Sequence, residues 1–174
     1  KIFFGVPIMF YCITCISFVS LFMIRKYKLL TKGGIMDQAM KQAIETFKEN
    51  VFKDYERFQF GMWKRDIKEK PHLESHYNSL ASKSVNEFKA GFKMEETKYY
   101  YKFLTANGTQ QSVHSFIVKE DKEIRRKQWK KGDLLKCASW SQPALNKPRG
   151  NILGEYKVQW TGPLYLRGPR GLTL

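Results

Sequence analysis

Few residues in this 174-residue chain have the types and spacing that catalysis or metal binding requires, and the main candidates are cysteines and histidines. Cys12 and Cys15 have the Cys-x-x-Cys spacing of redox and metal sites, but they lie in an uncharged run where a thiolate is costly to form. They are interpreted as small apolar side chains. His72 and His76 are four residues apart, which on a helix could share a metal ion. Because Pro71 begins that segment, a surface loop is favoured.

Sequence patterns typical of enzymes are missing. The sequence has no glycine-rich phosphate loop before a helix, no nucleophile elbow and no pair of catalytic carboxylates. Cys137 stands alone in the sequence, so no disulfide is predicted, and His114 is a lone histidine on a predicted strand. The sequence therefore predicts a protein that is not an enzyme, without catalytic residues, metal or cofactor.

The composition indicates the class of partner. Lys and Arg number 31 against 16 Asp and Glu, which gives a formal net charge of +15, and aromatic residues make up 15% of the chain. Such an aromatic content excludes a disordered chain, and three cysteines are too few for a disulfide framework. The charge predicts an acidic partner: protein, anionic lipid or, less favoured, nucleic acid.

An uncharged run at the start of the chain predicts a membrane span. Residues 2–24 carry no charge, and about 20 such residues cross a bilayer as a helix. Residues 1–28 are therefore predicted to form a transmembrane helix with a basic flank. Small and hydroxyl-bearing side chains let neighbouring membrane helices approach closely, and the predicted packing residues are Gly5, Cys12, Thr14, Ser17 and Ser20. The predicted anchors at lipid phosphates are Arg25, Lys26 and Lys28.

A long amphipathic helix is predicted next. Residues 35–70 have apolar side chains every three or four positions with charged residues between them, and Pro71 ends the pattern. The apolar face, which includes Met40, Phe47 and Phe58, is open to two interpretations: the core of a small soluble domain, or a surface that lies along the membrane or docks on a partner subunit.

Residues 71–140 are predicted to form a small α+β region. It begins with a loop and a short helix near residues 84–90, followed by a β-hairpin over 97–118. Asn107-Gly108 between two β-rich runs indicates a type I′ turn. The run 119–131, acidic first and basic last, suits a short helix.

The last segment, residues 141–174, is predicted to be an extended docking arm. It holds four of the six prolines and five of the twelve glycines, with Glu155 as its one acidic residue. Scattered apolar residues without periodicity are typical of a segment that orders against a partner. Over the whole chain, the predicted docking residues are Met40, Phe47, Phe58, Trp160, Tyr165, Arg167 and Arg170.

Short motifs at both ends of the chain resemble a known family. Gly5-Val6-Pro7 opens the predicted span and Phe22 with Lys26-Tyr27 closes it, while Trp160 precedes the run Leu166-Arg167-Gly168-Pro169-Arg170. These fragments, about 30 of 174 residues, resemble the Cox-sixteen family of cytochrome c oxidase assembly proteins. The resemblance implies the mitochondrial inner membrane as location and other membrane-protein subunits of a large complex as partners.

The sequence thus predicts a membrane fold class: a single transmembrane helix followed by a long amphipathic helix, a β-hairpin and an extended Pro/Gly-rich C-terminal arm, a small α+β arrangement. The functional hypothesis is a non-catalytic single-pass accessory subunit or assembly protein of a mitochondrial respiratory complex, cytochrome c oxidase first. The alternative is a membrane-tethered adaptor that binds ribosomal RNA or import machinery. The basic excess after the span favours the matrix side for the rest of the chain.

Overall fold

A computed structural model describes residues 37–166, and the two ends of the chain, 1–36 and 167–174, fall outside the described residues. The residues from Gln38 onward belong to one unit. The elements are α1 (Gln38–Met62), α2 (Lys64–Glu69), a 3-10 turn (Pro71–Leu73), α3 (Glu74–Gly91), β1 (Lys93–Glu96), β2 (Tyr100–Asn107), β3 (Gln110–Val118), β4 (Lys122–Ile124), β5 (Lys127–Trp129), β6 (Leu134–Leu135), β7 (Val158–Gln159) and β8 (Gly162–Pro163).

The main sheet has packing on both of its faces. Its four antiparallel strands lie in the order β1-β2-β3-β6. The helices cover one face, where Phe47 of α1 packs against Phe103 of β2 with ring centroids 5.0 Å apart. On the other face, Phe116 and Leu135 form a second cluster with Trp129 of the β4–β5 hairpin. The fold is therefore α+β, with helices on one side of an antiparallel sheet and a hairpin on the other.

The apolar stripe of α1 holds this helix on the sheet. Met40, Ile44, Phe47 and Val51 follow one another at intervals of four, three and four residues, which places them on one helical face, and all four are buried. The helix occupies residues 38–62 of the predicted 35–70. Met40 and Phe47 were predicted to dock on a partner, and that prediction is wrong. The strands of the same chain cover this face, so both residues belong to the core.

The membrane fold class predicted from the sequence is also wrong for the part of the chain that the structure describes. Residues 37–166 form helices and antiparallel sheets, and no helix in this range has the length and apolar character needed to cross a bilayer. The helix α1, the longest in residues 37–166, buries one face and exposes charged residues on the other. The predicted span lies outside the described residues, as do its packing residues Gly5, Cys12, Thr14, Ser17 and Ser20 and its anchors Arg25, Lys26 and Lys28.

The helix α3 is much longer than the sequence predicts. It runs from Glu74 to Gly91, whereas the expectation was a loop and a short helix near 84–90. Its serines and asparagines have weak helix propensity, and Ala81 and Val85 are its only buried residues, so the periodic signal is faint. Phe88 completes the buried side by stacking on Tyr55 of α1 at 4.1 Å between ring centroids.

The hairpin of β2 and β3 lies where the sequence places it, but its turn is of another type. Asn107 pairs with Gln110, so the two central residues are Gly108 and Thr109. Gly108 has a positive φ of 59° and Thr109 does not. Positive φ at the first central position alone is the pattern of a type II′ turn, which takes glycine there, and not of the predicted type I′.

Residues 119–131 form a second hairpin where the sequence predicts a short helix. β4 pairs with β5, and Ile124 pairs with Lys127, so Arg125 and Arg126 are the two central residues of the turn. Trp129 of β5 is 2% exposed in the cluster on the sheet. Burial of this one large side chain against the sheet outweighs the helical tendency of the charged residues around it.

The turn at Arg125-Arg126 is strained. The φ angles of these two arginines are 53° and 59°, a left-handed region that costs side chains other than glycine about 1 kcal/mol each. We expect the double substitution Arg125→Asn and Arg126→Gly to raise the free energy of unfolding by about 1 kcal/mol, because Asn-Gly is the favoured pair for this turn. Urea unfolding followed by circular dichroism measures the change. The matched control, Arg125→Lys with Arg126→Lys, keeps the strain and should leave stability unchanged; equal stability of the Asn-Gly variant and the wild type would contradict the prediction.

The described part of the predicted arm, residues 141–166, packs back on the fold. The backbone N–H of Leu134 donates to the carbonyl of Gly150 at 2.9 Å, and Ile152 is 6% exposed. β7 and β8 form a small antiparallel pair at the end of the segment. The prediction of an extended arm is therefore wrong for these residues, because their few apolar side chains complete a core that α1 and the sheet leave open.

Candidate functional site

The predicted docking residues divide into three groups in the structure. Met40 and Phe47 are in the core, and Arg167 and Arg170 lie outside the described residues. The other three are surface residues. Phe58 on α1 and Trp160 after β7 lie together, and Tyr165 is 61% exposed in the segment after β8.

Phe58 and Trp160 form one aromatic contact although 101 residues separate them. Their ring centroids are 4.9 Å apart, and Trp160 also meets Tyr55 at 5.1 Å. The backbone N–H of Trp160 donates to Oδ2 of Asp54 at 2.9 Å, which ties the end of β7 to α1. The position of Trp160 on the helix is therefore set by both packing and a hydrogen bond to a charged group.

We call Phe58, Met62 and Trp160 the apolar patch. Phe58 is 44% exposed and Met62 is 48% exposed, one helical turn apart. A shallow groove of about 540 Å³ runs along the patch, with Asp54 and Arg57 on its rim. An apolar floor with a charged rim is the arrangement of a protein interaction site.

A second groove, which we call the basic groove, is lined by residues 147–149, 154–157 and 164–166 together with Asn50 of α1. It has a volume of about 640 Å³, and its charged lining residues are Lys147, Arg149, Lys157 and Glu155. Tyr156 is also in its lining, and the phenol oxygen of this residue accepts a hydrogen bond from Nδ2 of Asn50 on α1 at 2.7 Å. This groove therefore combines three cations with an apolar wall.

Arg149 is the most enclosed cation of the basic groove. Its Nη1 donates to Oδ1 of Asn146 at 3.2 Å and to the carbonyl of Lys147. Its Nε is buried and has no hydrogen-bond partner within the described residues. Burial lowers the pKa of the guanidinium from its ordinary value, although the group stays charged at neutral pH.

His114 lies deep in the fold. Phe103 pairs with Ser115 and Leu104 with Val113, so His114 is the extra residue of a β-bulge in β3. Its ring is 5.2 Å from that of Phe92, and its Nε2 lies 3.0 Å from the carbonyl oxygen of Gln159. Because a carbonyl only accepts, Nε2 carries the proton, and Nδ1 accepts from the Ser115 hydroxyl at 2.9 Å.

The environment keeps His114 neutral. Burial is the main cause that lowers its pKa, and the charge of Lys136 adds to this, while the hydrogen bond to Gln159 opposes it; the resulting pKa is about 4. Ser115 is fully buried, so no substrate reaches the hydroxyl that His114 accepts. The pair therefore serves to join β3 to β7 and not to attack a ligand.

Several lysines lie over exposed aromatic rings. Nζ of Lys102 is 4.0 Å from the ring centroid of Trp140, and Nζ of Lys136 is 3.7 Å from that of Tyr165. Hydrogen bonds from Lys98 and Lys122 lower the pKa of Tyr99. Each contact occupies a ring face, which stabilises the lysine and makes that face unavailable for stacking with a ligand.

Metal-binding potential is absent from the part of the chain that the structure describes. No group of three or more His, Cys, Asp or Glu side chains there could hold an ion. His72 lies on the 3-10 turn and His76 on α3, and both are exposed. Cys137 is a free thiol whose pKa is raised by burial, so it is not an activated nucleophile.

Sequence reasoning missed the cations of the basic groove. Lys147, Arg149 and Lys157 lie in a Pro/Gly-rich segment, where nothing in the spacing shows that they share one wall. The one available signal was the scarcity of acidic residues around them.

Comparison of the chain with protein-family models, characterised proteins and solved structures finds no match.

Proposed function

We propose that this chain is a non-catalytic accessory or assembly protein that binds a protein partner through the apolar patch. The supporting observation is that Phe58 and Met62 remain about half exposed beside Trp160, while the stripe residues earlier in α1 are buried. Large aromatic and methionine side chains are enriched where proteins bind one another. A charged rim of Asp54 and Arg57 gives such a site orientation.

The proposed partner is a subunit of a mitochondrial respiratory complex, with cytochrome c oxidase as the first choice. This choice is supported by the end motifs of the chain, which resemble the Cox-sixteen family. Trp160 belongs both to that resemblance and to the apolar patch. The tryptophan of the motif is thus proposed to act by shaping the docking surface together with α1.

A second candidate function is an adaptor that binds ribosomal RNA through basic residues. It is supported by the excess of 31 Lys and Arg over 16 Asp and Glu. It is less favoured because aromatic rings that could stack on nucleotides are partly occupied by other side chains. The rings of Trp140 and Tyr165 are each covered on one face by a lysine, and Trp160 packs on Tyr55 and Phe58.

Truncation of the apolar patch is expected to weaken docking strongly without unfolding the chain. For the double variant Phe58→Ala and Met62→Ala we expect at least a tenfold loss of co-migration with oxidase subunits on a native gel, because central apolar anchors contribute about 2 kcal/mol each. Both side chains are half exposed, so the variant should fold like the wild type.

The matched control removes two equally exposed apolar side chains elsewhere. Leu80 is 38% exposed on α3 and Leu153 is 45% exposed, and neither lines the apolar patch. The variant Leu80→Ala with Leu153→Ala should co-migrate as the wild type does. Unchanged co-migration of the patch variant would refute docking through this patch. Steeply salt-dependent RNA binding that the patch variant retains would favour the adaptor instead.

A further inference from the structure

We infer that the basic groove and the apolar patch are two halves of one docking surface, and that the partner presents a segment with acidic residues at one end and apolar residues at the other. The inference rests on the proposed function, since it names the chemistry of the partner segment that the apolar patch receives. It adds a second contact, an ionic one, that nothing in the apolar patch supplies.

Both halves border α1, which contributes Asn50 to one and Asp54 to the other. Asn50 and Asp54 are one helical turn apart, so they lie on the same side of the helix. Asn50 donates to the phenol oxygen of Tyr156 at 2.7 Å in the basic groove, and Asp54 accepts the backbone N–H of Trp160 at 2.9 Å beside the apolar patch. The segment from Tyr156 to Trp160 therefore follows the helix and joins the two grooves.

The length of this surface suits a short segment of protein. From Asn50 to Met62 the helix axis rises about 18 Å, which is the length of a helix of about 12 residues. A partner helix of this size would place its first turn against the basic groove and its last turn against Phe58 and Met62. Such a segment buries too little surface to fold alone, which is typical of helices that dock in grooves.

The basic groove lacks the acidic groups that would neutralise its cations. Within 4.0 Å no ion pair involves Lys147, Arg149 or Lys157 among the described residues. Glu155 is the one acidic residue in the groove lining, against three cations. A carboxylate on the partner is the complement that this charge distribution favours.

The apolar patch decides between an acidic protein segment and nucleic acid. A nucleic acid that occupied the basic groove would continue onto Phe58 and Met62, two exposed apolar side chains that carry no positive charge for its phosphates. An amphipathic protein segment matches both halves. The occupant to which we commit is therefore an acidic, amphipathic helix of the partner protein.

A designed peptide tests the inference directly. The probe is a fluorescent 14-residue helix with three glutamates in its first turns and three leucines at helical spacing in its last turns. The full chain is titrated into the probe and binding is followed by anisotropy. A second probe, with each glutamate replaced by glutamine, measures binding without charge.

Neutralising the basic groove is expected to weaken the acidic probe selectively. For the triple variant Lys147→Gln, Arg149→Gln and Lys157→Gln we expect about a tenfold loss of affinity at low salt and no change for the glutamine probe. The matched triple variant removes the same charge from exposed lysines away from both grooves, by Lys70→Gln, Lys83→Gln and Lys89→Gln. It should change the affinity by less than about twofold, since distant charges are screened.

Folding of the variant is kept separate from binding. Arg149 is hydrogen-bonded to its own loop, so the double variant Lys147→Gln with Lys157→Gln serves where the triple variant fails to fold. Equal affinity of the acidic probe for the wild type and the groove variant would overturn the inference. Displacement of the probe by a twelve-nucleotide oligouridine that binds more tightly would also overturn it. The proposed function is tested separately, by native-gel co-migration of the patch variant.

Discussion

Replacing Phe47 by alanine is expected to lower the free energy of unfolding by about 4 kcal/mol, because truncation of a fully buried phenylalanine removes its contacts and leaves a cavity. The ring is 0% exposed and lies 5.0 Å from Phe103, 6.0 Å from His114 and 6.0 Å from Tyr156. These neighbours belong to β2, β3 and the segment before β7. Phe47 thus contacts all three at once.

Urea unfolding of the full chain, followed by circular dichroism, measures this loss. The matched control is Phe58→Ala on the same helix, where the ring is 44% exposed and the cost should stay below about 1 kcal/mol. A loss smaller than about 2 kcal/mol for Phe47→Ala would show that this helical face is not packed as the structure has it. The comparison also checks that Phe58 can be truncated for docking experiments without unfolding the protein.

The same pair of residues shows what the sequence can and cannot predict. The apolar period of α1 identifies the helix, and both Phe47 and Phe58 lie in that stripe. Period alone does not say where the covering sheet ends, because that depends on the strands that pack against the helix. The structure covers the stripe through Val51 and leaves Phe58 and Met62 about half exposed. Phe47 and Phe58, which have the same place in the sequence pattern, therefore belong to the core and to the candidate docking surface, respectively.

Tertiary packing also explains the elements that the sequence misassigns. The hairpin at residues 122–129 is held on the sheet by the burial of Trp129. This burial offsets the strain of the positive φ angles at Arg125 and Arg126. The segment 141–166 looks like an extended arm because its apolar residues have no period. Trp160 instead completes a cluster that Tyr55 and Phe88 begin. Neither contact can be predicted from the local spacing of residues, since the two sides of each contact lie far apart in the sequence.

Acid is expected to destabilise the protein through His114. Its pKa is about 4 in the folded chain against an ordinary value of 6.5. Between these two pH values the unfolded chain holds a proton on the imidazole and the folded chain does not. Stability therefore rises with pH across this window and is lost as the pH falls from 6.5 to 4. The difference in pKa corresponds to about 3 kcal/mol once the pH is below 4.

The variant His114→Gln isolates this contribution. A glutamine amide can donate to the carbonyl of Gln159 and accept from the Ser115 hydroxyl, as the neutral imidazole does, but it binds no proton in this range. We expect His114→Gln to lose about 3 kcal/mol less than the wild type between pH 7 and pH 4. The carboxylates of the chain contribute equally to both proteins and cancel in the difference.

Urea titrations at half-unit steps of pH from 7 to 4 give this difference. The matched control is His76→Gln, an exposed histidine on α3, which should follow the wild-type curve. Parallel curves for the wild type and His114→Gln would contradict a buried neutral imidazole in the β3 bulge. A steeper loss of stability in the wild type would confirm it, because acid lowers stability only through groups whose pKa is lower in the folded chain than in the unfolded chain. The protonated ring would have to leave the contact with Phe92 and Phe47, so acid should open the junction between β3 and β7 before the rest of the sheet.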